Sequence, residues 1–321
     1  MTALTIALLA GSDLTSHLIL RDLVPLLLER GHQVLVYHTR SQANASRPPW
    51  LQRMFFTEHV LLNDHVYPYL EQHGVPALIV PPEKARPAPS AHPRLVIGQA
   101  TNVNAPEFVA ALAEKRIDVS VSVRCYQKFG QPVIGVLGDA ARGAMFANLH
   151  PGLLPQYRGV LTFARAMAHG DAAAGFTLHH INEQWDAGDI IARASSPLDY
   201  DASVLENMCH QRGLAVGLIL SLVDDVAAGS APSAEPQADA CARYYSHPDG
   251  EVLTALRERG VALARPGKIA SLLASEFTPS GHPARSGLRD HLLHALRAAG
   301  IGLDDVAGHA GCDQAPVRAG R

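Results

Sequence analysis

The opening forty residues limit most strongly what this chain can fold into. Thr5 to Ala10 is an apolar run closed by Gly11-Ser12-Asp13. Leu14 to Arg30 follows with leucines at helical spacing (Leu18, Leu23, Leu26, Leu27), and Gly31 supplies a stop signal. Gln33 to His38 is a second short apolar stretch rich in valine. Strand, helix and strand in so few residues make a βαβ unit. Its two strands must lie parallel, because a helical crossover returns the chain to the same end of the sheet.

The rest of the chain extends that pattern. Leu51 to Gly74 is expected to be helical, Pro76 to Val80 to be a third strand, and Glu83 to Arg94, rich in Pro, Ala and Ser, to be a surface loop. Ala105-Pro106-Glu107 starts a helix that runs to about Lys115, with proline in the first turn and an acid beside it. Val119 to Val123 and Ala144 to Asn148 are expected as buried strands, with a helix after Gly159. Phe176 to Ile181 alternates as a strand with Ile190 to Ala194 as its partner, and Ser203 to Asp225 is expected as one long helix. The fold class is therefore α/β, with an open, mostly parallel sheet and a smaller, mainly helical C-terminal extension. The expected boundaries are a catalytic domain over 1–225, a linker over 226–240, a helical region over 241–300 and a flexible tail over 301–321.

Composition narrows the class of function. Hydrophobic residues make up 47% of 321 and charged residues 18%, which excludes an intrinsically disordered chain. Lys and Arg total 27 against 30 Asp and Glu, a formal net charge of −3, which argues against a nucleic-acid binder. Cys125, Cys209, Cys241 and Cys312 are far apart without a CxxC pair, so free thiols in a reducing compartment are expected. No apolar run reaches the roughly 18 residues of a membrane span, and the N-terminus lacks a basic leader region. The expected location is the cytoplasm, without membrane contact.

Chemistry concentrates in the stretch Asn148 to Gly159, NLHPGLLPQYRG, which directly follows an expected strand. In open α/β sheets ligands bind at the carboxyl ends of strands. Asn148 and His150 are two residues apart, so on extended backbone both face one side. Trp185-Asp186-Ala187-Gly188-Asp189 lies between two later strands and offers a carboxylate on a tight turn. An amide donor, an imidazole and a carboxylate suit attack by an amine on a carbonyl carbon: Asn148 for the oxyanion, His150 for the proton, Asp186 to hold a water or stabilise the imidazolium. Asp189 more simply fixes the turn. Gly11-Ser12-Asp13 lacks the GxGxxG of a dinucleotide site and reads as a fold-level turn. His179 and His180, adjacent on an alternating strand, face opposite sides, so one faces the core or cleft and a shared metal site is not expected. Cys125, without a visible activating partner, reads as a buried small hydrophobe.

These residues resemble the folate-dependent formyltransferases, a family whose members formylate methionyl-tRNA, glycinamide ribonucleotide, amino sugars or hydroxyornithine. The resemblance rests on HPGLLPQYRG, the preceding Asn148 and the downstream DAGDI, and covers about residues 100–200, more weakly 1–100 and 200–225. It implies a Rossmann-like formyltransferase fold and transfer of a formyl group from 10-formyltetrahydrofolate, without a metal. It assigns the catalytic roles to Asn148, His150 and Asp186. It also implies folate contacts at Arg124, Cys125, Tyr126, Phe129, Ile181 and Trp185, largely through backbone, and acceptor contacts at Gly152, Leu153, Arg158 and Gly159. Departures bear on the acceptor. Tyr126-Gln127-Lys128-Phe129 differs from the folate-side loop of the tRNA enzyme, Gly152 stands where serine is usual, residues 241–321 read as helices instead of a β-barrel, and only Arg40, Arg47 and Arg53 supply a basic loop. The expected acceptor is a small-molecule amine, an amino sugar nucleotide or a hydroxyornithine-like amine. Methionyl-tRNA formylation and formyltetrahydrofolate hydrolysis are the alternatives, with a dinucleotide-dependent oxidoreductase and a non-catalytic binding protein as more distant rivals. Leu272, Leu273, Leu292 and Leu293 could serve a homodimer or pack onto the core.

Overall fold

Strand formation follows the apolar runs. The computed structural model, which describes residues 2–39, 47–84 and 92–304, contains β1 (Thr5–Gly11), β2 (Gln33–Thr39), β3 (Leu95–Ala100), β4 (Val119–Val123), β5 (Met145–His150), β6 (Arg158–Gly159), β7 (Ala173–His180), β8 (Ile190–Pro197) and β9 (Tyr244–Tyr245). The main sheet has the order β3-β2-β1-β4-β5-β7-β8. Its first five strands pair parallel, and β7 and β8 pair antiparallel. Short β6 and β9 form a separate parallel pair. Strand order reverses between β1 and β4, which places a crevice at the carboxyl ends of β1, β4 and β5.

Helices cover both faces. They are α1 (Leu14–Glu29), α2 (Pro49–Phe55), α3 (Tyr67–Gln72), α4 (Pro106–Glu114), α5 (Gln131–Leu137), α6 (Thr162–His169), α7 (Val204–His210), α8 (Arg212–Ala227), α9 (Gly250–Glu258), α10 (Pro266–Phe277) and α11 (Ala284–Ala298), with a π-helical segment Phe56–Val66 between α2 and α3. Side chains of β1 alternate between two cores. Ile6, Leu8 and Ala10 join α1, α8, α10 and α11 on one face, while Ala7 and Leu9 join Leu112, Val133 and Leu137 on the other. Both faces of a parallel sheet are thus buried, and β1 is nearly continuous in apolar character for that reason.

Two expectations change. Pro76 to Val80 is irregular chain, and the strand beside β2 is Leu95–Ala100. The pairing partner β2 selects this later segment, and two prolines (Pro81, Pro82) follow the earlier one at once. The expected single helix over Ser203 to Asp225 is two, broken at Gln211, and the second continues to Ala227. Parts of the expected surface loop Glu83 to Arg94, and the terminal residues 305–321 with Cys312, lie outside the described residues.

The C-terminal helices share the first core. Leu273, Leu288, Leu292 and Leu296 are fully buried there, and Leu293 is buried beside them, so the leucines considered for a dimer pack largely within the chain. Phe277 stacks on His17 of α1 at 4.8 Å between ring centroids. Among the described residues no helix is long and apolar enough to cross a membrane.

Candidate active site

β5 delivers Asn148 and His150, and antiparallel β7 lies beside it with His179 directly opposite Asn148. Cross-strand partners project to the same face. Asn148 Nδ2 accordingly lies 3.1 Å from His179 Nε2. His179 Nδ1 donates to the His180 carbonyl at 2.8 Å, which leaves Nε2 as the acceptor for the Asn148 amide. Burial, together with repulsion from His150, pushes His179 down to about 4, so its ring is neutral and this pairing holds. The amide orientation of Asn148 follows: its nitrogen faces the site, and one N–H stays available.

His150 is 3% exposed. Its Nδ1 is 3.3 Å from Asp186 Oδ1 and its Nε2 is 2.6 Å from the Tyr157 carbonyl. Both partners can only accept, so both ring nitrogens carry protons and the imidazolium is the form that satisfies this geometry. Burial alone would lower the His150 pKa, but the Asp186 carboxylate outweighs it and the net direction is up. Burial likewise opposes ionisation of Asp186, yet His150 and the Gly159 amide hold it down at about 2.

Asp186 sits at a sharp point of the chain, with φ of 51°, the left-handed region. Its Oδ2 accepts from Gly159 N at 2.9 Å, which links the turn to the loop after β5. Its Oδ1 lies 3.8 Å from His179 Nε2. The turn closes because Gly188 has no Cβ: one there would collide with the His180 carbonyl. Gly152 is equally confined, since a Cβ would meet His150 Nε2 and Tyr157 O at 2.8 Å. A serine at this position would crowd the imidazole.

The other expected positions divide. Arg124 follows β4 with φ of 52°, and its guanidinium is taken up by Asp13 Oδ1 at 3.3 Å and Glu58 Oε1 at 3.1 Å. Tyr126 is exposed and its hydroxyl donates to Asp13 Oδ2 at 3.1 Å. Phe129 is buried in the second core, edge-on to Phe146, so only its backbone can reach a ligand. Cys125 and Ile181 pack against that core, and burial raises the Cys125 thiol. Trp185 is 46% exposed beside the Asp186 turn. Leu153 is half-buried in the loop, Gly159 lies against Tyr245, and Arg158 Nε donates to Gln237 Oε1 at 2.9 Å. Asp13 caps α1 through Ser16 N.

Two features were not assigned to the site from sequence. His179 becomes a neighbour of Asn148 only through the β5–β7 register. Glu58, His59 and Asn63 come from the π-helical segment, with His59 Nδ1 and Asn63 Nδ2 at 3.2 and 2.9 Å from the Ser12 carbonyl. Burial raises Glu58 to about 6 despite Arg124. Among the described residues no group of three His, Cys, Asp or Glu is placed to hold a metal ion.

An amide, an ion-paired imidazole and a carboxylate at the end of a doubly wound sheet can together stabilise an oxyanion and move a proton. Residues 66–216 match the formyl transferase family model. Among curated relatives, the methionyl-tRNA formyltransferase of Halothermothrix orenii is 30% identical over 168 residues, 50% of this chain and 51% of that protein. The Moorella thermoacetica enzyme of the same name is 35% identical over 120 residues, 37% and 38% of the two chains. This chain thus spans about half the length, or less, of these relatives. Among solved structures, a sugar N-formyltransferase from Shewanella aligns at 16% identity and TM-score 0.47, covering 79% of this chain and 87% of that one. The N-formyltransferase from Helicobacter canadensis, solved with folinic acid and dTDP-3-aminofucose, aligns at 15% and 0.46, covering 77% and 71%.

Proposed function

We propose that this protein is an N-formyltransferase that moves a formyl group from 10-formyltetrahydrofolate to the amine of a small-molecule acceptor, an amino sugar nucleotide or a hydroxyornithine-like amine. The observation that carries the reading is the buried His150–Asp186 ion pair beside an oriented Asn148 amide. Bound 10-formyltetrahydrofolate would supply the formyl carbon. Backbone of Arg124 to Phe129, which follows β4 beside β5, and of Ile181 to Trp185, which follows β7 on the other side of β5, would hold it. The donor set fits an acyl carbonyl: Asn148 keeps an N–H unused by His179.

Asn148 Nδ2 donates to the oxygen on which negative charge develops, a contact worth about 3–4 kcal/mol in sites of this type. The His150 imidazolium adds its charge. Its Nε2–H stays on the Tyr157 carbonyl and fixes the ring, while Nδ1, paired with Asp186 Oδ1, is the nitrogen left to move a proton. Nδ1 gives a proton to the departing nitrogen and regains one from the acceptor nitrogen, so the imidazolium is restored. Asp186, with a pKa of about 2, stays a carboxylate and keeps the charged ring in place.

A small acceptor is favoured because Asp13 and Glu58 neutralise Arg124 at the end of β1, which leaves no strong attraction for a polyanion there. The methionyl-tRNA relatives favour the second reading, a tRNA acceptor. The test is tetrahydrofolate release from 10-formyltetrahydrofolate with nucleotide amino sugars, hydroxyornithine, glycinamide ribonucleotide and initiator methionyl-tRNA, with His150→Ala as control. Turnover with one amine, lost in the control, supports the reading and names the acceptor. Formate release without any amine points to a hydrolase, and failure of 10-formyltetrahydrofolate to bind overturns the reading.

A further inference from the structure

The segment after α8 does not hang free: it runs along both loops of the site. Glu235 exchanges two backbone hydrogen bonds with Ile190, at 2.8 and 2.9 Å, just past the Asp186 turn. Further on, Arg243 O accepts from Arg158 N at 2.9 Å and Tyr245 O accepts from Val160 N at 3.0 Å, so β9 pairs with β6. Between these two anchors lies Gln237, half-buried among mostly exposed neighbours.

Gln237 uses its whole amide. Nε2 donates to the Asp186 carbonyl at 2.9 Å and to the Gly188 carbonyl at 2.8 Å, and Oε1 accepts from Arg158 Nε at 2.9 Å. One side chain thereby ties the turn that carries Asp186 to the loop that carries the Tyr157 carbonyl and the Gly159 amide. Those are the groups that hold His150 and the Asp186 carboxylate. The Asp186 backbone is left-handed, a conformation that residues with a Cβ disfavour and that persists only where its surroundings hold it. Only a primary amide of this length fits: glutamate has no donor for two carbonyls, lysine has no acceptor for Arg158, and asparagine is one methylene short.

We propose that Gln237, which lies outside the matched segment 66–216, is a positioning residue that sets the Asp186 carboxylate against His150. The inference rests on the reaction proposed above for its kinetic readout, but its first readout does not. Charged and titratable groups facing His150 are Asp186 and His179, and both belong to the segment Gln237 holds or to its neighbour strand.

The test compares Gln237→Met, close in shape but without hydrogen bonds, and Gln237→Glu, which keeps an acceptor for Arg158, with wild type. The His150 ring is titrated by NMR in the full chain, and kcat and KM are measured across pH. In both variants the His150 titration is expected to move to lower pH. The expected kcat falls 10- to 100-fold, KM for 10-formyltetrahydrofolate stays within threefold, and the pH profile moves with the ring. An unmoved His150 titration in either folded variant overturns the proposal, as does a change confined to KM, which would make Gln237 a ligand contact. Should Gln237→Met not fold, Gln237→Glu decides by the same titration. A moved titration in a protein that transfers formyl to no amine leaves the positioning role standing and removes the reaction assigned to the site.

Discussion

Asp186→Asn isolates the charge of the site while keeping its shape. Asparagine can still accept from Gly159 N, but it offers His150 Nδ1 a neutral group. At 3.3 Å, and with an effective dielectric of about 20, the lost attraction is about 5 kcal/mol. Burial works against the charged ring, and the imidazole can release its proton instead of remaining charged and unpaired. The net cost at mildly acid pH should therefore be nearer about 3 kcal/mol, at the low end for removing one partner of a buried pair. The pH window follows from the directions. His150 is raised, so its contribution is complete below about 6.5, the usual histidine value, and fades as pH rises through the folded-state value. Asp186 is lowered, so its contribution is complete above the ordinary 3.8 and fades only as pH falls toward about 2. Urea unfolding of wild type and variant at about pH 5.5 should show the full gap, and at about pH 9 a smaller one. NMR should show the His150 ring titrating below the ordinary 6.5, because burial, the largest effect on it, is then opposed only by the Tyr157 carbonyl. An equal gap at both pH values, or an unshifted ring, would refute the ion-pair argument.

Other outcomes follow from single contacts. Glu58 is raised from 4.5 to about 6 by burial, so it costs stability as pH rises through this window, on the order of 2 kcal/mol. The stability difference between wild type and Glu58→Gln, measured by urea unfolding, should change by that order between pH 4.5 and 6.5 in favour of the variant. His179→Phe removes the acceptor that orients Asn148, and single-turnover formyl transfer should slow by up to about 100-fold with folate affinity little changed. Gly188→Ala forces a side chain into the His180 carbonyl, and thermal unfolding should report a loss of about 1–3 kcal/mol or more together with abolished activity.

Much of the site was legible because it is local. Asn148 and His150 share a face by strand alternation, and the prolines and Gly152 mark a built loop, all within a dozen residues. Asp186 was legible as an acid on a tight turn, though its contact with His150 spans distant segments. His179 was half legible: alternation says that it and His180 diverge, but not which one meets Asn148. That depends on which residues of β5 and β7 stand opposite each other, a pairing that no single strand encodes. Glu58 was hidden by an unusual helical segment, whose π geometry sets which residues face β1. Gln237 was invisible in a stretch of small residues and prolines, since its contacts are with backbone carbonyls, which leave no mark in side-chain pattern.

Hydrophobic periodicity and turn chemistry alone determined the βαβ opening, the mostly parallel sheet and the placing of Asn148 and His150 on one face, because each depends on residues close in sequence. The replacement of Pro76–Val80 by Leu95–Ala100 at the sheet edge was decided only in three dimensions, as was the break at Gln211. The tautomer of His179 and the clamp of Gln237 on the Asp186 turn were settled there too. These depend on which of several competent segments a neighbour accepts, and that choice is made by packing and by long-range hydrogen bonds that must all be satisfied together.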